Sequence, residues 1–231
     1  MRSAGAILGG MTATDHTFVF ADLAGYTAMT EAHGDDDAAK IALEFHELAQ
    51  RCLPAGARIV KTIGDAVMLV APTIEDGVRV ALVLASDIAA RRHFPAVRIG
   101  IHAGPAAARD GDFFGAAVNL AARVAGVARA GEIVCTEPVA AAALGAQLSS
   151  ARPMGTVRLK NVAAPVALYE LATGAAAGAL HHLDPVCRMQ IAAEAAPTTV
   201  VHDGVTLYFC SSGCAARFEA TPQLYLLDRA E

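Results

Sequence analysis

Strand and helix patterns alternate along the chain as far as residue 172, and this order constrains the fold more than any other feature. Residues 17–21 form an apolar run of strand length, and residues 37–52 carry apolar side chains at helical spacing. Two strand patterns, residues 58–61 and 66–70, then flank a tight turn at Gly64. This order predicts an α+β sandwich with its helices on one face of the sheet.

Later patterns continue the same domain, which we place at residues 15–172. A domain of this length can bury a core of its own. The patterns predict two more helices and four more strands, over residues 74–92 and 118–128, and over residues 97–102, 133–135, 156–159 and 167–171.

Charge and hydropathy argue against several classes of protein. The longest stretch without Asp, Glu, Lys or Arg is 14 residues, Pro138 to Ala151, whereas a membrane-spanning helix needs about 20. The formal net charge of −5 argues against binding to nucleic acid or to an anionic membrane surface. The N-terminus lacks the pattern of a secretory signal, so we expect a cytoplasmic protein whose thiols stay reduced.

A change in composition marks a second, smaller unit. Small residues predominate in residues 173–181, among them two glycines, and predict a flexible linker. Residues 182–229 then form a module that is too short to be stabilised by apolar packing alone. Three of the five cysteines, Cys187, Cys210 and Cys214, fall in this cysteine module. We therefore expect a bound metal ion to stabilise it.

Two aspartates stand where strands of the first domain end. Asp22 follows the first apolar strand, and Asp65 lies in the hairpin turn. If these strands are neighbours, both carboxylates reach one end of the sheet and offer the oxygen ligands that Mg²⁺ or Mn²⁺ prefers. Taken singly, each is also an ordinary strand-end or turn aspartate.

Three polar residues add to this constellation. Asn119 and Arg123 are four residues apart and share one face of the predicted helix, where a guanidinium would suit phosphoryl oxygens. An exposed polar face is the alternative interpretation of that pair. Lys61 lies four residues before Asp65, although a lysine in a strand usually extends into water.

Taken together, the segments FADLAGYT, KTIGDAVM and GDFFGAAVNLAAR resemble the catalytic domain of class III nucleotidyl cyclases, a ferredoxin-like α+β sandwich. The resemblance implies that Asp22 and Asp65 bind two Mg²⁺ or Mn²⁺ ions, with the backbone carbonyl of Leu23 as a further ligand. It also implies that Lys61 and Asp112 recognise adenine, since guanylyl cyclases typically carry Glu and Cys-type residues there.

The same resemblance assigns roles around the rest of ATP. It implies that Asn119 orients the ribose, Arg123 stabilises the pentavalent phosphate and Lys160 binds the terminal phosphates. Asn161 stands where the family often has glycine. Family members act as head-to-tail dimers, in which the ribose 3′-hydroxyl of ATP attacks the α-phosphorus and pyrophosphate leaves.

The cysteine spacing predicts a metal site in the small module. A helix starting at Cys210 would place Cys210 and Cys214 on one face, with Cys187 approaching from an earlier loop. Three thiolates suit a soft or borderline ion such as Cu⁺ or Zn²⁺. The spacing leaves a fourth ligand open, with His202 as one candidate and His181 and His182 as rivals.

The segments DPVCRM and YFCSSGC resemble the YHS domain and the related TRASH metal-binding domain, whose pattern usually has glycine where Arg188 stands. The other two cysteines, Cys52 and Cys135, lie on apolar patterns and are expected in the core.

Three functions remain open from the sequence. The first is an adenylyl cyclase, dimeric and acting on ATP, whose cysteine module senses or stores a metal. The second is a catalytically silent cyclase fold that binds nucleotide as a sensor. The third is a heavy-metal-binding protein that uses the cyclase fold as a dimerising scaffold. Residues of the expected type at the cyclase positions favour the first function.

Overall fold

The computed structural model describes residues 14–173 and 181–226, and its largest feature is an eight-stranded sheet. The sheet order is β2-β3-β1-β4-β6-β8-β7, and β5 pairs with the end of β4. Among these strands only β4 and β6 pair in parallel. The strands are β1 (Thr14–Leu23), β2 (Arg58–Ile63), β3 (Ala66–Ala71), β4 (Val97–Arg109), β5 (Asp112–Phe114), β6 (Ile133–Thr136), β7 (Ala151–Val157) and β8 (Val166–Leu171).

Five helices accompany this sheet and complete the first domain. Thr73 caps one of them, since its side chain accepts a hydrogen bond from the backbone N–H of Asp76. In the described ranges, no helix combines the length and the apolar character needed to cross a membrane. The helices are α1 (Tyr26–His33), α2 (Asp35–Arg51), α3 (Ile74–Ala89), α4 (Ala116–Ala125) and α5 (Glu137–Gly145).

The sheet buries both of its faces. Helices α2, α3 and α5 pack on the face that includes Val19 and Ile99. Helix α4 packs on the opposite face, against Phe18 and Met68. The prediction of an α+β fold is confirmed, but the expectation that all helices lie on one face is wrong. Successive side chains of β1 point to opposite faces of the sheet and are apolar on both, so both faces are covered by helices.

One glycine allows α4 to approach the sheet. A Cβ atom added to Gly100 of β4 would lie 2.1 Å from the backbone nitrogen of Ala125. Only glycine fits beneath the helix at this crossing. The packing holds α4, which carries Asn119 and Arg123, against the strand that pairs with β1.

The cysteine module consists of two short hairpins and two helices. Strands β9 and β10 pair, as do β11 and β12. The predicted linker falls mostly on residues 174–180, which lie outside the described residues. The elements are β9 (His181–Leu183), β10 (Gln190–Ala192), β11 (Thr198–His202), β12 (Val205–Phe209), α6 (Ser212–Ala220) and α7 (Pro222–Leu226).

The cysteine module shares a core with the first domain. Met29 of α1 and Ala38 of α2 belong to the same buried cluster as Phe209 and Phe218 of the module. Backbone hydrogen bonds also cross the boundary, among them one of 3.1 Å from the Ala96 N–H to the carbonyl of Arg188. The module therefore folds against α1 and the start of β4.

Candidate active site and candidate metal centre

The two aspartates of the first domain meet at one end of the sheet. Strands β1 and β3 pair antiparallel, and Asp22 lies opposite Ala66, the residue after Asp65. The two carboxyl groups lie close enough for each to affect the other's charge. Burial, followed by the hydrogen bond and the charge of Asp22, raises the pKa of Asp65 to about 7.

Arg98 completes this cluster, and the sequence analysis missed it. Arg98 lies opposite Asp22 in the β1–β4 register. Its Nε donates a hydrogen bond of 2.7 Å to Oδ2 of Asp22. The VRIG segment contains this arginine, but only knowledge of strand pairing could have placed it beside Asp22.

The donor chemistry of this cluster fits a divalent ion. Two carboxylates and nearby backbone carbonyls are oxygen ligands of the kind that Mg²⁺ and Mn²⁺ bind. The guanidinium of Arg98 forms an ion pair with Asp22 and so offsets part of the carboxylate charge. A bound divalent cation would offset the charge of both carboxylates directly.

A second charged pair lies at the sheet edge. Nζ of Lys61 donates a hydrogen bond of 2.7 Å to Oδ2 of Asp112. This bond, together with one from the backbone N–H of Phe113, lowers the pKa of Asp112. Nζ of Lys61 also lies 5.9 Å from the ring centroid of Phe114. The pair presents one donor and one acceptor, which suits the edge of a purine.

In the described residues, three other predicted active-site residues form no hydrogen bond or ion pair with the two aspartates. Asn119 and Arg123 are exposed on α4, one helical turn apart. Lys160 is exposed in the turn after β7. Within the described part of the chain, the contacts recorded for the carboxylates of Asp22 and Asp65 involve each other and Arg98, and none of these three.

A cavity of about 440 Å³ adjoins Arg98 and is lined by both units of the chain. The first domain contributes Gly25 of the loop before α1, and Arg129 from the segment that follows α4. The cysteine module contributes Arg188 and Tyr225. Three arginines line this cavity, and one of them, Arg98, is ion-paired with Asp22.

The three cysteines of the module come together as the spacing predicts. The Sγ atoms of Cys187 and Cys210 lie 3.4 Å apart, and those of Cys210 and Cys214 lie 3.7 Å apart. The expectation that a helix starts at Cys210 is wrong. Helix α6 begins at Ser212, because the side chain of Ser211 accepts a hydrogen bond from the Cys214 N–H and caps it.

Asp184 positions the cysteines, and the sequence analysis did not single it out. Its buried carboxylate accepts backbone hydrogen bonds from Val186 at 2.8 Å, Cys187 at 3.3 Å and Cys210 at 2.8 Å. One side chain thus joins the two loops that carry the cysteines. Such support keeps ligands in place around a metal ion.

The three thiols lie close enough to affect one another's pKa values. Hydrogen bonds from Cys187 and then Cys210 lower the pKa of Cys214, which favours its thiolate. Hydrogen bonds with Cys210 and Cys214, and then burial, raise the pKa of Cys187. Three cysteine sulfurs this close together have the donor chemistry of a soft-metal site.

The histidines proposed as fourth ligands are engaged elsewhere. His202 meets the ring of Phe218 edge-on, with centroids 5.4 Å apart, and the ring of His182 stacks on Tyr208 at 3.9 Å. The side chain of His181 lies outside the described residues. The imidazole that adjoins the cysteines belongs to His33 of α1, with Nε2 3.3 Å from Sγ of Cys210.

The two remaining cysteines pack against the apolar core. Cys135 is fully buried, and burial raises its pKa to about 12. Cys52 is partly buried against the same core, and burial followed by the charge of Asp87 raises its pKa to about 11. Buried thiols with raised pKa values are poor nucleophiles, and neither cysteine belongs to a group of metal-binding side chains in the described residues.

Comparison with known proteins agrees with these two units. Residues 11–173 match the adenylate and guanylate cyclase catalytic domain, and residues 182–229 match the YHS domain. The chain is 36% identical over 180 residues to a pH-sensitive adenylate cyclase of Mycobacterium tuberculosis, covering 75% of this chain and 44% of the relative. It is 31% identical over 160 residues to an adenylate cyclase of Glutamicibacter nicotianae, covering 69% of this chain and 40% of the relative. The chain therefore spans less than half the length of these relatives.

A solved structure shows the same fold. The adenylate/guanylate cyclase/hydrolase of Silicibacter pomeroyi superposes with a TM-score of 0.64 at 27% identity, covering 70% of this chain and 98% of that one. The match to the catalytic-domain family covers most of the chain, and the YHS match covers the cysteine module. The chain thus belongs to the adenylate and guanylate cyclase catalytic domain family and carries a YHS domain after that domain.

Proposed function

We propose that this protein is an adenylyl cyclase that converts ATP into 3′,5′-cyclic AMP and pyrophosphate. The observation that carries the proposal is the meeting of Asp22 and Asp65 at the end of the sheet, beside Arg98. Relatives named adenylate cyclase support the choice of reaction. We assign the catalytic domain to residues 15–172, the linker to 173–181 and the metal-binding module to 182–229.

Asp22, Asp65 and the carbonyl of Leu23 would hold two Mg²⁺ or Mn²⁺ ions. When bound, such ions lower the pKa of the ribose 3′-hydroxyl and neutralise charge on the triphosphate. The protein's own contribution is to keep both carboxylates at one point. The backbone N–H of Leu23 donates to the carbonyl of Asp65 at 3.3 Å, which ties the loop after β1 to the β2–β3 turn.

Lys61 and Asp112 would select adenine over guanine. The ammonium of Lys61 would donate to the ring nitrogen N1, and the carboxylate of Asp112 would accept from the exocyclic amine. Guanine presents the opposite pattern at these two positions, so the wrong base would leave both charged groups badly paired. The existing hydrogen bond between Lys61 and Asp112 keeps the two groups close together.

Asn119, Arg123 and Lys160 would contact the rest of the nucleotide. Asn119 would orient the ribose, and the planar guanidinium of Arg123 would donate to charge that develops on the α-phosphate. Lys160 would bind the terminal phosphates. All three side chains are exposed, which leaves them accessible to a substrate held by another subunit.

A head-to-tail homodimer would assemble each site from two copies of the chain. Two large apolar side chains beside the Lys61–Asp112 pair are exposed, Ile63 to 55% and Phe114 to 54%. A second copy of the chain could bury them, which supports this arrangement. In the described residues, Arg123 makes no contact with Asp22 or Asp65 of its own chain, which also supports a site shared between two copies. One copy would supply the two carboxylates. The other copy would supply Asn119 and Arg123, together with the Lys61–Asp112 pair that recognises the base.

The cysteine module would bind Cu⁺ or Zn²⁺ and thereby modulate turnover. The clustered Sγ atoms of Cys187, Cys210 and Cys214 support metal binding. The core that the module shares with α1 supports an effect on the catalytic domain. Reduced thiols and ATP both fit a cytoplasmic location.

Turnover of ATP and GTP tests the proposal. Purified protein with Mn²⁺ should form cyclic AMP from ATP, and the double variant Lys61→Glu, Asp112→Cys should lower the ratio of ATP to GTP turnover by about tenfold or more. The matched control is Lys40→Glu, Asp37→Cys, which alters an exposed Lys–Asp pair on α2 and should leave the ratio unchanged. Absence of cyclic AMP at high protein concentration would favour a silent nucleotide sensor or a metal-binding scaffold instead.

A further inference from the structure

We propose that the metal site of the cysteine module takes its fourth ligand from the catalytic domain, through Nε2 of His33. The proposal rests on the metal binding proposed above and names the ligand that sequence patterns left open. His33 is the last residue of α1, and 177 positions separate it from Cys210. The ion would therefore be bound by both units of the chain.

The spacing of the four donors fits one tetrahedral ion. Nε2 of His33 lies 3.3 Å from Sγ of Cys210 and 3.8 Å from Sγ of Cys214. The Sγ of Cys187 lies 3.4 Å from that of Cys210, and all four donor atoms lie within 4.8 Å of one another. Zinc bound to sulfur at about 2.3 Å and to nitrogen at about 2.0 Å holds its donors roughly 3.5–3.8 Å apart.

The donor set selects the kind of ion. Three thiolates and one imidazole are a common closed ligand set of structural Zn²⁺ sites. Within the described part of the chain, His33, Cys187, Cys210 and Cys214 form the one group of this kind. Cys187 and Cys214 are fully buried, whereas His33 and Cys210 are partly buried, so the site lies at the edge of the shared core.

Further contacts hold His33 near the cysteines without any metal. A guanidinium nitrogen of Arg217, on α6, donates a hydrogen bond of 2.6 Å to the carbonyl of Glu31. The same arginine forms an ion pair of 3.8 Å with the Glu31 carboxylate. Met29, one helical turn before His33, packs in the core of the cysteine module. The end of α1 is thus positioned for His33 to bind an ion.

Such a site would link metal occupancy to the position of α1. The helix begins at Tyr26, three residues after Leu23, and the loop before it touches the cysteine module. A Cβ atom added to Gly25 would lie 2.8 Å from Cγ of Arg188 and 3.2 Å from the carbonyl carbon of Cys187. An ion bound by Cys187 and His33 would therefore hold both ends of α1 against the module.

Metal binding by the full chain tests the assignment. Metal-free, reduced protein is titrated with Co²⁺, whose d–d and thiolate charge-transfer bands report coordination number and ligands, and Zn²⁺ affinity is measured by competition with a chromophoric chelator. Wild type should bind one ion per chain with tetrahedral bands. His33→Ala should weaken binding by at least about tenfold and alter the d–d bands, since even the loss of an outer-shell partner costs that much.

Three variants make the outcome unambiguous. His33→Cys restores a fourth ligand and should recover tight binding, with more intense charge-transfer bands. His202→Ala is the matched control and should leave affinity and spectrum unchanged. Cys214→Ser should weaken binding whichever histidine is the ligand. Circular dichroism of each ion-free variant checks that it is folded.

Two results would overturn the assignment. One is a His33→Ala protein with the affinity and spectrum of wild type, and the other is loss of binding in His202→Ala alone. No nucleotide is present in these titrations, so they are independent of cyclase turnover. A wild type that binds no metal would overturn both the His33 assignment and metal binding by the module, and would leave the proposed cyclase reaction untouched.

Discussion

At the scale of single residues, the surroundings of Asp65 change its acid–base chemistry strongly. Its pKa lies near 7 in the ion-free protein, whereas an ordinary aspartate titrates near pH 4. As pH rises, the unfolded chain therefore loses the Asp65 proton near pH 4, whereas the folded protein keeps it until about pH 7. Between these two values the free energy of unfolding of the ion-free protein falls as pH rises, because only the unfolded chain gains from ionisation.

Asp65→Asn should separate stability from catalysis. At pH 8, with a chelator present to remove divalent ions, the variant should unfold at a higher temperature than wild type. The reason is that the repulsion between the carboxylates of Asp65 and Asp22 is gone. With Mn²⁺ and ATP, it should lose about 100-fold or more of its turnover, because a ligand of the proposed ions is missing. Thermal unfolding and a cyclic AMP assay measure the two effects.

The matched control is Asp15→Asn, which changes an exposed carboxylate on β1 that is seven residues from Asp22. It should alter neither property. An Asp65→Asn protein that keeps wild-type turnover would contradict the assignment of Asp65 as an ion ligand.

Residue types predicted the paired aspartates, but not the partners that folding brings to them. Asp22 and Asp65 follow strand patterns that pair as expected, whereas Arg98 and His33 carry no local signal of their role. Both meet their partners across long stretches of chain. Spacing within one segment holds no information about such contacts.

Departures from the family patterns have a backbone explanation. Asn161 and Arg188 stand where the related patterns have glycine, and their φ angles are +63° and +58°. Both positions therefore require the left-handed conformation that glycine adopts easily. Asparagine tolerates it well, whereas arginine does so at a cost in energy.

At the scale of elements, the crossing of α4 over β4 positions Asn119 and Arg123. Gly100→Ala should destabilise the protein by about 3 kcal/mol or more, because the added methyl group meets the backbone of Ala125, which cannot move without shifting α4. Chemical denaturation measures the change.

Gly145→Ala is the control for the crossing, since nothing lies within 4 Å of the added methyl group at the end of α5. It should leave stability equal or slightly higher. A Gly100→Ala protein as stable as wild type would show that α4 does not pack as closely as described.

Helices with a clear apolar stripe were predictable, and those without one were not. The periodicity of α2 and α3 located both to within a few residues. Helix α1 buries only Met29 among its eight residues, and Gly25 before it offers no side-chain cap. Helix α5 is rich in alanine and has no polar face to define a period. Tertiary packing, which a local pattern does not record, stabilises these two helices.

At the scale of the whole molecule, the shared core joins the two units. Met29→Ala should lower the free energy of unfolding by about 2–5 kcal/mol, because it leaves a cavity between α1 and the cysteine module. For a chain of this size the melting temperature should fall by roughly 5–15 °C.

Leu43→Ala is the control, because Leu43 is 63% exposed on α2 and should contribute less than about 0.5 kcal/mol. Equal melting temperatures for Met29→Ala and wild type would contradict a core common to both units.

The proposed catalytic site is built by two copies of the chain, and mixing two inactive variants tests this directly. Asp65→Ala and Arg123→Ala should each be inactive alone. An equal mixture should recover about a quarter of wild-type cyclic AMP formation, since half of the dimers are mixed and each mixed dimer rebuilds one of its two sites. A mixture that stays as inactive as its components, under conditions where wild type turns over ATP, would contradict the account.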